Sequence, residues 1–387
     1  MAKFKTLDQL DFKNKRTLIR VDLNVPISDG KVGDSSRIER LIPTIKEVLH
    51  RGGIPILLSH YGRPKGKFNP AMSLALLTQE ISSSLDNHHV LFAENCIGPV
   101  ADKMVKNLKT GEIGLLENLR FHEGEETNDL NFARSLANLG EIYINDAFSA
   151  SHRAHASTCA LAQLLPNAAG RLMQAELQAL ESAMHGAQHP IVAVVGGAKV
   201  STKLEVLSNL IKNVDTIIIG GGMANTFLLA MGYEIGESLC EKSLTKTALN
   251  IIERSEKFNC KILLPSDAVV AHEFSSNTPS TTVSIESIPK NSMVLDLGPD
   301  TISQILSSFD AAKTILWNGP LGAFEIKPFD KATNTAANHV AKLTQNNMVV
   351  SIAGGGDTIS ALNQANAKSG FSYISTAGGA FLEWLEG

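Results

Sequence analysis

The chain has 387 residues, with 35 Lys plus Arg against 39 Asp plus Glu and a formal net charge of -4. That length is too great for one comfortable core and predicts two domains, while the near-balanced charge gives no global pull toward nucleic acid or an anionic membrane. Hydrophobic residues make up 43%, enough for substantial cores, yet the apolar runs are strand-length and fall well short of the roughly 18 residues of a membrane span.

The opening MAKFKTLDQLDFKNK lacks the apolar stretch of a secretory signal. Cys96, Cys159, Cys240 and Cys260 lie far apart without metal-ligand spacing; they read as reduced, mostly buried thiols of a cytoplasmic protein. Strand-like runs follow at 17–25, 54–59, 89–94, 113–119 and 141–147. Between the first two, Ser36 to Glu39 reads as a capping box. It opens a helix with the apolar face Ile38, Leu41, Ile42, Ile45 and Leu49, stopped by Gly52-Gly53. This is a βαβ unit, for which a right-handed crossover is expected. Leu165-Pro166-Asn167 reads as a break, and GRLMQAELQALESAMHG, from Gly170, as a long amphipathic helix linking two domains. Strand-like runs resume at 191–195, 216–219, 261–265, 293–297, 314–317 and 348–353. The last segment, 371–387, holds a short strand-like piece, Gly378-Gly379 and a helical turn. Val- and Ile-rich strands without clean alternation predict parallel sheets covered on both faces, and in such sheets ligands bind beyond the carboxyl ends of the strands.

Functional-looking residues recur at those ends in the first half: Asp22 and Asn24, then His60, Tyr61, Gly62 and Arg63, then Arg120, then Asp146 with His152, Arg153 and His155. Arg37 sits at the start of the first helix. Arginine offers the planar fork that phosphate and carboxylate need, so several at one sheet edge predict a small, multiply charged anion. A nucleic-acid groove would also be lined with aromatics, and these loops have few. Asp22 and Asn24 suit orienting a substrate hydroxyl or the arginines themselves, or Asp22 is a turn residue; His60 suits the ligand or a structural role.

In the second half, VVGGAKVSTKLEVL (194–207), IIIGGGMANTFL (217–228) and SIAGGGDTISAL (351–362) place glycines after strands. None is a Walker A or GxGxxG motif, but each lets a backbone approach a phosphate at a helix N-terminus. Thr202 and Glu205 read as a capping box that puts Lys203 in a first helical turn, against the dipole. A phosphate there explains the placement, with Lys199 flanking it; a tolerated surface lysine is the alternative. Asp357 reads as an N-cap, a Mg²⁺ ligand, or both. WNGPLGAFE (317–325) suits a nucleoside slot in which Glu325 accepts from ribose hydroxyls. Gly378 and Gly379 suit N–H donation to a phosphoryl group in transfer.

Taken in order, RVDLNVP (20–26), SRI (36–38), SHYGRP (59–64), LLENLRFHEGEE (115–126), NDAFSASHRAHAST (145–158), GRLMQAEL (170–177), VVGGAKVSTKLEVL, GGGMANTF (220–227), WNGPLGAFE, AGGGDT (353–358) and STAGGAFLEWL (375–385) resemble the phosphoglycerate kinase family over essentially the whole chain. The resemblance implies two Rossmann-like three-layer αβα domains with parallel sheets. A phosphoglycerate-binding domain would span 1–170, completed by the returning segment at about 372–387, and a nucleotide-binding domain 171–371. It implies that Asp22, Asn24, Arg37, His60, Arg63, Arg120 and Arg153 bind phosphoglycerate, with Arg37 at the carboxyl end where transfer occurs. Lys199, Lys203, Gly221, Asn318, Gly354, Gly355, Gly356 and Thr358 would serve the nucleotide, Glu325 the ribose and Asp357 the metal. Arg37, Lys203, Gly355 and Gly378 would carry catalysis. The implied activity is reversible transfer of the acyl phosphate of 1,3-bisphosphoglycerate to ADP, giving 3-phosphoglycerate and ATP in glycolysis and gluconeogenesis. It is implied to use Mg²⁺, in a cytoplasmic monomer whose domains close around the substrates, with no nucleic-acid or membrane partner. Tyr61 in place of leucine, Ser149 in place of glycine and the LDLGPDT run (295–301) depart from the family pattern without removing a charged position. They predict altered packing or stability, not lost activity. A twin-domain NAD-dependent dehydrogenase would need the dinucleotide fingerprint, which is missing. A non-catalytic scaffold would be expected to have lost Arg37, Lys203 or Asp357.

Overall fold

The computed structural model describes residues 4–28, 31–33, 35–184, 187–375 and 377–386. The chain divides into two compact units, Met1–Gln178 and Ala179–Gly387.

The first unit is built on β1 (Arg16–Arg20), a short hairpin of β2 (Ile27–Ser28) and β3 (Lys31–Val32), then β4 (Ile54–Leu58), β5 (Val90–Ala93), β6 (Ile113–Leu116), β7 (Ile142–Asn145) and β8 (Asn167–Ala169). Its sheet has the order β5-β6-β4-β1-β7-β8, and each adjacent pair is parallel. Leu18 and Ile19 point to opposite faces and are both fully buried, as a sheet covered on two sides requires. The crossover helix Ser36–His50 buries Ile38, Leu41, Ile45 and Val48, a 3.6-period stripe. Its N-cap is Ser35, one residue before the expected Ser36, and the Ser35 hydroxyl donates to Glu39 Oε1 at 2.6 Å.

The second unit repeats the scheme with β9 (Ile191–Val195), β10 (Thr216–Ile219), β11 (Lys261–Leu263), β12 (Asp267–Ala271), β13 (Ser280–Ser284), β14 (Met293–Leu297), β15 (Thr314–Asn318), β16 (Val350–Gly354) and β17 (Tyr373–Ser375). The large sheet runs β11-β10-β9-β15-β16-β17, again parallel throughout. The expected strand at 293–297 lies outside it: β14 joins β12 and β13 in a separate antiparallel sheet. Trp317, fully buried on β15, packs against Phe309 and Phe371 at ring-centroid distances of 5.9 and 6.1 Å.

The helix Arg171–Met184 forms where the sequence places it, preceded by the unanticipated strand β8. Its first turn is fastened within the first unit. Arg171 N donates to Thr44 Oγ1 at 2.8 Å, and Met173 N to Asp146 Oδ1 at 3.0 Å. The Arg171 guanidinium forks onto both Glu47 and Asp8 at 2.7 Å each. Burial pushes the Asp146 carboxyl up to about 6, opposed by hydrogen bonds from Thr44 and the helix N–H groups. The division between the two compact units falls inside this helix, after Gln178, and the C-terminal helix Gly378–Glu386 lies in the second. The Asn209 side chain donates to Leu385 O at 2.8 Å, and the buried Phe381 ring lies against Gly354.

Thr44→Val removes the hydroxyl shared by Arg171 N and Asp146 at a fully buried position. We expect it to lower unfolding free energy by about 1–3 kcal/mol, measured by urea denaturation.

Candidate active site

In the first unit the carboxyl ends of β1, β4, β6 and β7 do bring most of the expected residues together. Asp22, just past β1, accepts from Asn24 N at 3.0 Å and from Arg37 Nη1 at 2.9 Å. It is thus both the turn former and the holder of an arginine. Arg37 Nη1 also donates to Asn24 O at 3.0 Å. The Asn24 side chain takes Gly62 N at 3.0 Å, and Gly62 O takes Arg120 Nη1 at 2.8 Å. A continuous chain of hydrogen bonds therefore ties Arg37 to Arg120. Arg120 is buried and pairs loosely with Glu126 at 3.4 Å; burial draws its guanidinium below the usual range. Arg153 Nε meets His152 Nε2 at 3.1 Å. Arg63 is exposed and makes no hydrogen bond or ion pair among the described residues.

His60 is buried, and its Nδ1 lies 3.0 Å from Arg20 Nη2. Burial, then the charges of Arg20, Arg120 and Arg153, hold the imidazole far below its ordinary value, so it is neutral. Arg20, one of the largest fully buried side chains, is a residue that sequence reasoning missed. So are Ser157 and Glu125 behind it. The signal was present: a charged residue inside the apolar run TLIRV has to be there for a reason. Ser149, the departure from glycine, turns out to donate its hydroxyl to Asp22 Oδ2.

In the second unit a cleft opens at the carboxyl ends of β9, β15 and β16. One end, about 440 Å³, is lined by Gly196, Gly197, Lys199, Lys203, Asn318, Gly355, Gly356, Asp357 and Thr358. A neighbouring recess of about 360 Å³ shares Gly197, Ala198 and Asp357. It adds Gly221, Leu239, Phe274, Val294, Leu321 and Glu325. The exposed apolar side chains Leu239 and Phe274 had no sequence signal, since their strands and loops carry no motif. Lys203 Nζ donates to Asn318 Oδ1, and Asn318 Nδ2 donates to Gly354 O at 2.8 Å. Thr358 Oγ1 accepts from Gly319 N at 2.7 Å. Burial draws the Lys203 ammonium down to about 8, with Asp357 and Glu386 resisting.

Two local expectations are corrected here. Lys203 precedes the helix Leu204–Leu210 and is not in its first turn, and no Thr202–Glu205 capping box forms. The Thr202 hydroxyl instead donates to Lys199 O at 2.8 Å, and Ser201 is held by Glu241 at 2.6 and 2.9 Å. Asp357 is not an N-cap. That place belongs to Gly355 at φ 103°, where a side chain would be strained, which leaves the Asp357 carboxylate exposed to the cleft. Lys199 is exposed and Glu325 is exposed at the far end of the recess. The described helix containing Gly378 begins at that residue.

The glycines divide into two sets. A Cβ on Gly196 would lie 1.9 Å from Pro320 O, on Gly319 2.2 Å from Gly196 O, and on Gly221 2.7 Å from Gly197 O. These glycines let three loops lie against one another. At Gly356 a Cβ would meet nothing within 4 Å; that position faces open cleft.

A basic sheet edge in one unit and a glycine-lined cleft with a half-buried lysine in the other define an α/β phosphotransferase that handles a nucleotide and a small anion. The phosphoglycerate kinase family model matches residues 7–387. The phosphoglycerate kinase of Ruegeria sp. strain TM1040 is 56% identical over 384 residues, covering 99% of this chain and 97% of the relative. That of Cereibacter sphaeroides is 54% identical with the same coverage. The structure of phosphoglycerate kinase from Coxiella burnetii superposes with a TM-score of 0.92 at 41% identity, covering 99% of this chain and 96% of that one. The Pyrococcus horikoshii enzyme gives 0.80 at 28% identity, with the same coverage. The chain belongs to the phosphoglycerate kinase family.

Gly196→Ala forces Pro320 away and should cost about 1–3 kcal/mol, whereas Gly356→Ala should change stability by less than about 0.5 kcal/mol. Paired thermal melts of the two variants distinguish a loop-interlocking glycine from a cleft-facing one.

Proposed function

We propose that this chain reversibly transfers the acyl phosphate of 1,3-bisphosphoglycerate to ADP, giving 3-phosphoglycerate and ATP. The acid would bind the first unit and the nucleotide the second. Family membership supports the reaction, and the observation that carries the residue roles is the hydrogen-bond chain from Arg37 through Asp22, Asn24 and Gly62 to Arg120. It joins two anion-binding ends at a fixed spacing, as a ligand with phosphates at both ends requires.

In this reading Arg63, Arg120, Arg153 and His60 hold the distant 3-phosphate, while Arg37 meets the transferring group. Asp22 and Asn24 fix Arg37 and orient the substrate hydroxyl. Lys203 and Lys199 neutralise nucleotide phosphates from the other side. N–H groups near Gly354, Gly355, Gly356 and Gly378 add donors, beside Asn318, Thr358 and Gly221, and Glu325 takes the ribose hydroxyls. A terminal oxygen of ADP attacks phosphorus, the bond from phosphorus to the acyl oxygen breaks, and the electrons leave on the carboxylate. Both nucleophile and leaving group are ionised near neutral pH, so no general base is needed. Alignment and charge neutralisation do the work.

Asp357 fits a Mg²⁺ role. Its carboxylate faces the cleft, and no group of three or more His, Cys, Asp or Glu placed to hold a metal ion occurs among the described residues. This donor set suits an ion bound by one carboxylate and mainly by phosphate oxygens. When bound, the ion would offset charge on the nucleotide phosphates. No helix among the described residues is long and apolar enough to cross a membrane. A cytoplasmic monomer remains part of the same reading, and gel filtration checks the monomer.

A coupled assay with 1,3-bisphosphoglycerate, ADP and Mg²⁺ should show ATP formation; its absence with folded protein would reject the reaction. Arg37→Ala should lower kcat by about 10²–10³-fold, and a normal kcat at saturating substrate would remove Arg37 from the transition state. Arg63→Ala should chiefly raise the KM for 3-phosphoglycerate. The depressed Lys203 value of about 8 means that the ammonium is lost as pH rises through that value in the free protein. The kcat/KM for ADP should therefore fall above about pH 8, and Lys203→Met should abolish that limb of the profile.

A further inference from the structure

We propose that Arg20 is a positioning residue of the acid-binding edge: it holds His60 as the neutral tautomer with its proton on Nε2, so that His60 offers the substrate a hydrogen-bond donor. The role assigned to His60 rests on the function proposed above; the tautomer rests on geometry alone.

A guanidinium has donors and no acceptor. The 3.0 Å contact between Arg20 Nη2 and His60 Nδ1 therefore requires a bare lone pair on Nδ1. A proton there would set two donors face to face. In a neutral ring, the remaining proton is then on Nε2. Arg20 is not at liberty to turn away. Its Nη1 donates to Val21 O and its Nε to Ser157 Oγ at 2.9 Å. Ser157 in turn donates its hydroxyl to Glu125 Oε1 at 2.6 Å and its backbone N–H to Glu125 Oε2 at 2.9 Å. The Tyr143 hydroxyl donates to Ser157 O at 2.7 Å. Arg20, Ser157 and Glu125 are each 0–1% exposed. The buried carboxylate thus compensates the buried guanidinium through one hydroxyl, and all three nitrogens of the Arg20 fork have partners.

The charged surroundings act in the same direction. Arg20 faces His60 from β1, Arg120 from the turn after β6, and Arg153 and His155 from the segment after β7. The acids nearby are engaged elsewhere: Glu125 with Ser157 and, at 3.9 Å, His155, and Glu126 with Arg120. A cationic ring would add repulsion, and an Nδ1–H tautomer would present the substrate with a lone pair that repels an anion.

The test begins with substrate-free wild-type protein. Long-range ¹H–¹⁵N spectra from pH 5 to 9, with the His60 signals assigned by His60→Gln, should show an unprotonated Nδ1 and a protonated Nε2 throughout. A ring that titrates in that window, or carries its proton on Nδ1, overturns the proposal. In Arg20→Met the donor that demands a bare Nδ1 is gone, so signals of the Nδ1–H tautomer should appear, while burial still holds the ring's value down. The KM for 3-phosphoglycerate should rise at least tenfold, with a smaller change in kcat. An Nε2–H tautomer left unchanged in Arg20→Met overturns the proposal and makes Arg20 merely structural. Ser157→Ala, which keeps the arginine but removes its Nε acceptor, serves if Arg20→Met fails to fold, and should give the same tautomer shift in weaker form. If wild-type protein transfers no phosphate while the spectra are as expected, the functional reading fails and the Arg20–His60 assignment stands.

Discussion

Gathering like charge at one sheet edge is the constraint on which the first unit depends. Arg20, Arg120 and Arg153 act on the same imidazole, and such a cluster repels itself unless each donor has a partner. The partners come from within: Asp22 for Arg37, Glu125 through Ser157 for Arg20, Glu126 for Arg120, and the carbonyls of Val21, Asn24 and Gly62. The internal anions are enough to fix geometry, yet the arginines of the edge outnumber them. In the proposed reaction an arriving anion would offset that excess.

The second unit solves the same problem with backbone. Gly196, Gly221 and Gly319 let three loops touch main chain to main chain, and their N–H groups lock the loops together by donating to Asn318 O, Leu321 O and Thr358 Oγ1. Lys203, partly stripped of water and tethered through Asn318 to Gly354, adds a held charge where those loops converge, beside the exposed Lys199. Groups held in place in this way have little to reorganise when nearby charge shifts.

The parallel architecture was legible because buried strands write continuous Val and Ile runs, and because polar residues at their ends stand out against them. Asp22, Arg37, His60, Arg120 and Arg153 lie at one sheet edge, as that pattern predicted; Lys203, Asn318 and Thr358 also lie together, but only the family resemblance pointed to Asn318 and Thr358. What stayed hidden depended on contacts distant in sequence. The Ser157–Glu125 support of Arg20 joins residues 137 and 32 positions apart. Leu239 and Phe274 reach one recess from unrelated segments. Local pattern misled at Thr202, where a capping-box spacing was present but the hydroxyl donates to Lys199 O, and at the first helix the cap falls one residue early, on Ser35. The strand at 293–297 was correct as an element, but its partners were not legible, because β12 and β13 lack strong apolar runs.

Trp317 gives this arrangement an internal optical label. Its indole N–H donates to Gly319 O at 2.8 Å, and the next residue, Asn318, holds the lysine. The ring is sealed from solvent between Phe309 and Phe371. Its emission therefore reports on the turn beside Lys203, not on bulk water. Displacement of that turn alters the hydrogen bond of the excited chromophore, so once the half-buried second tryptophan, Trp384, is replaced by phenylalanine, the chain carries its own fluorescent gauge of that turn without any attached dye.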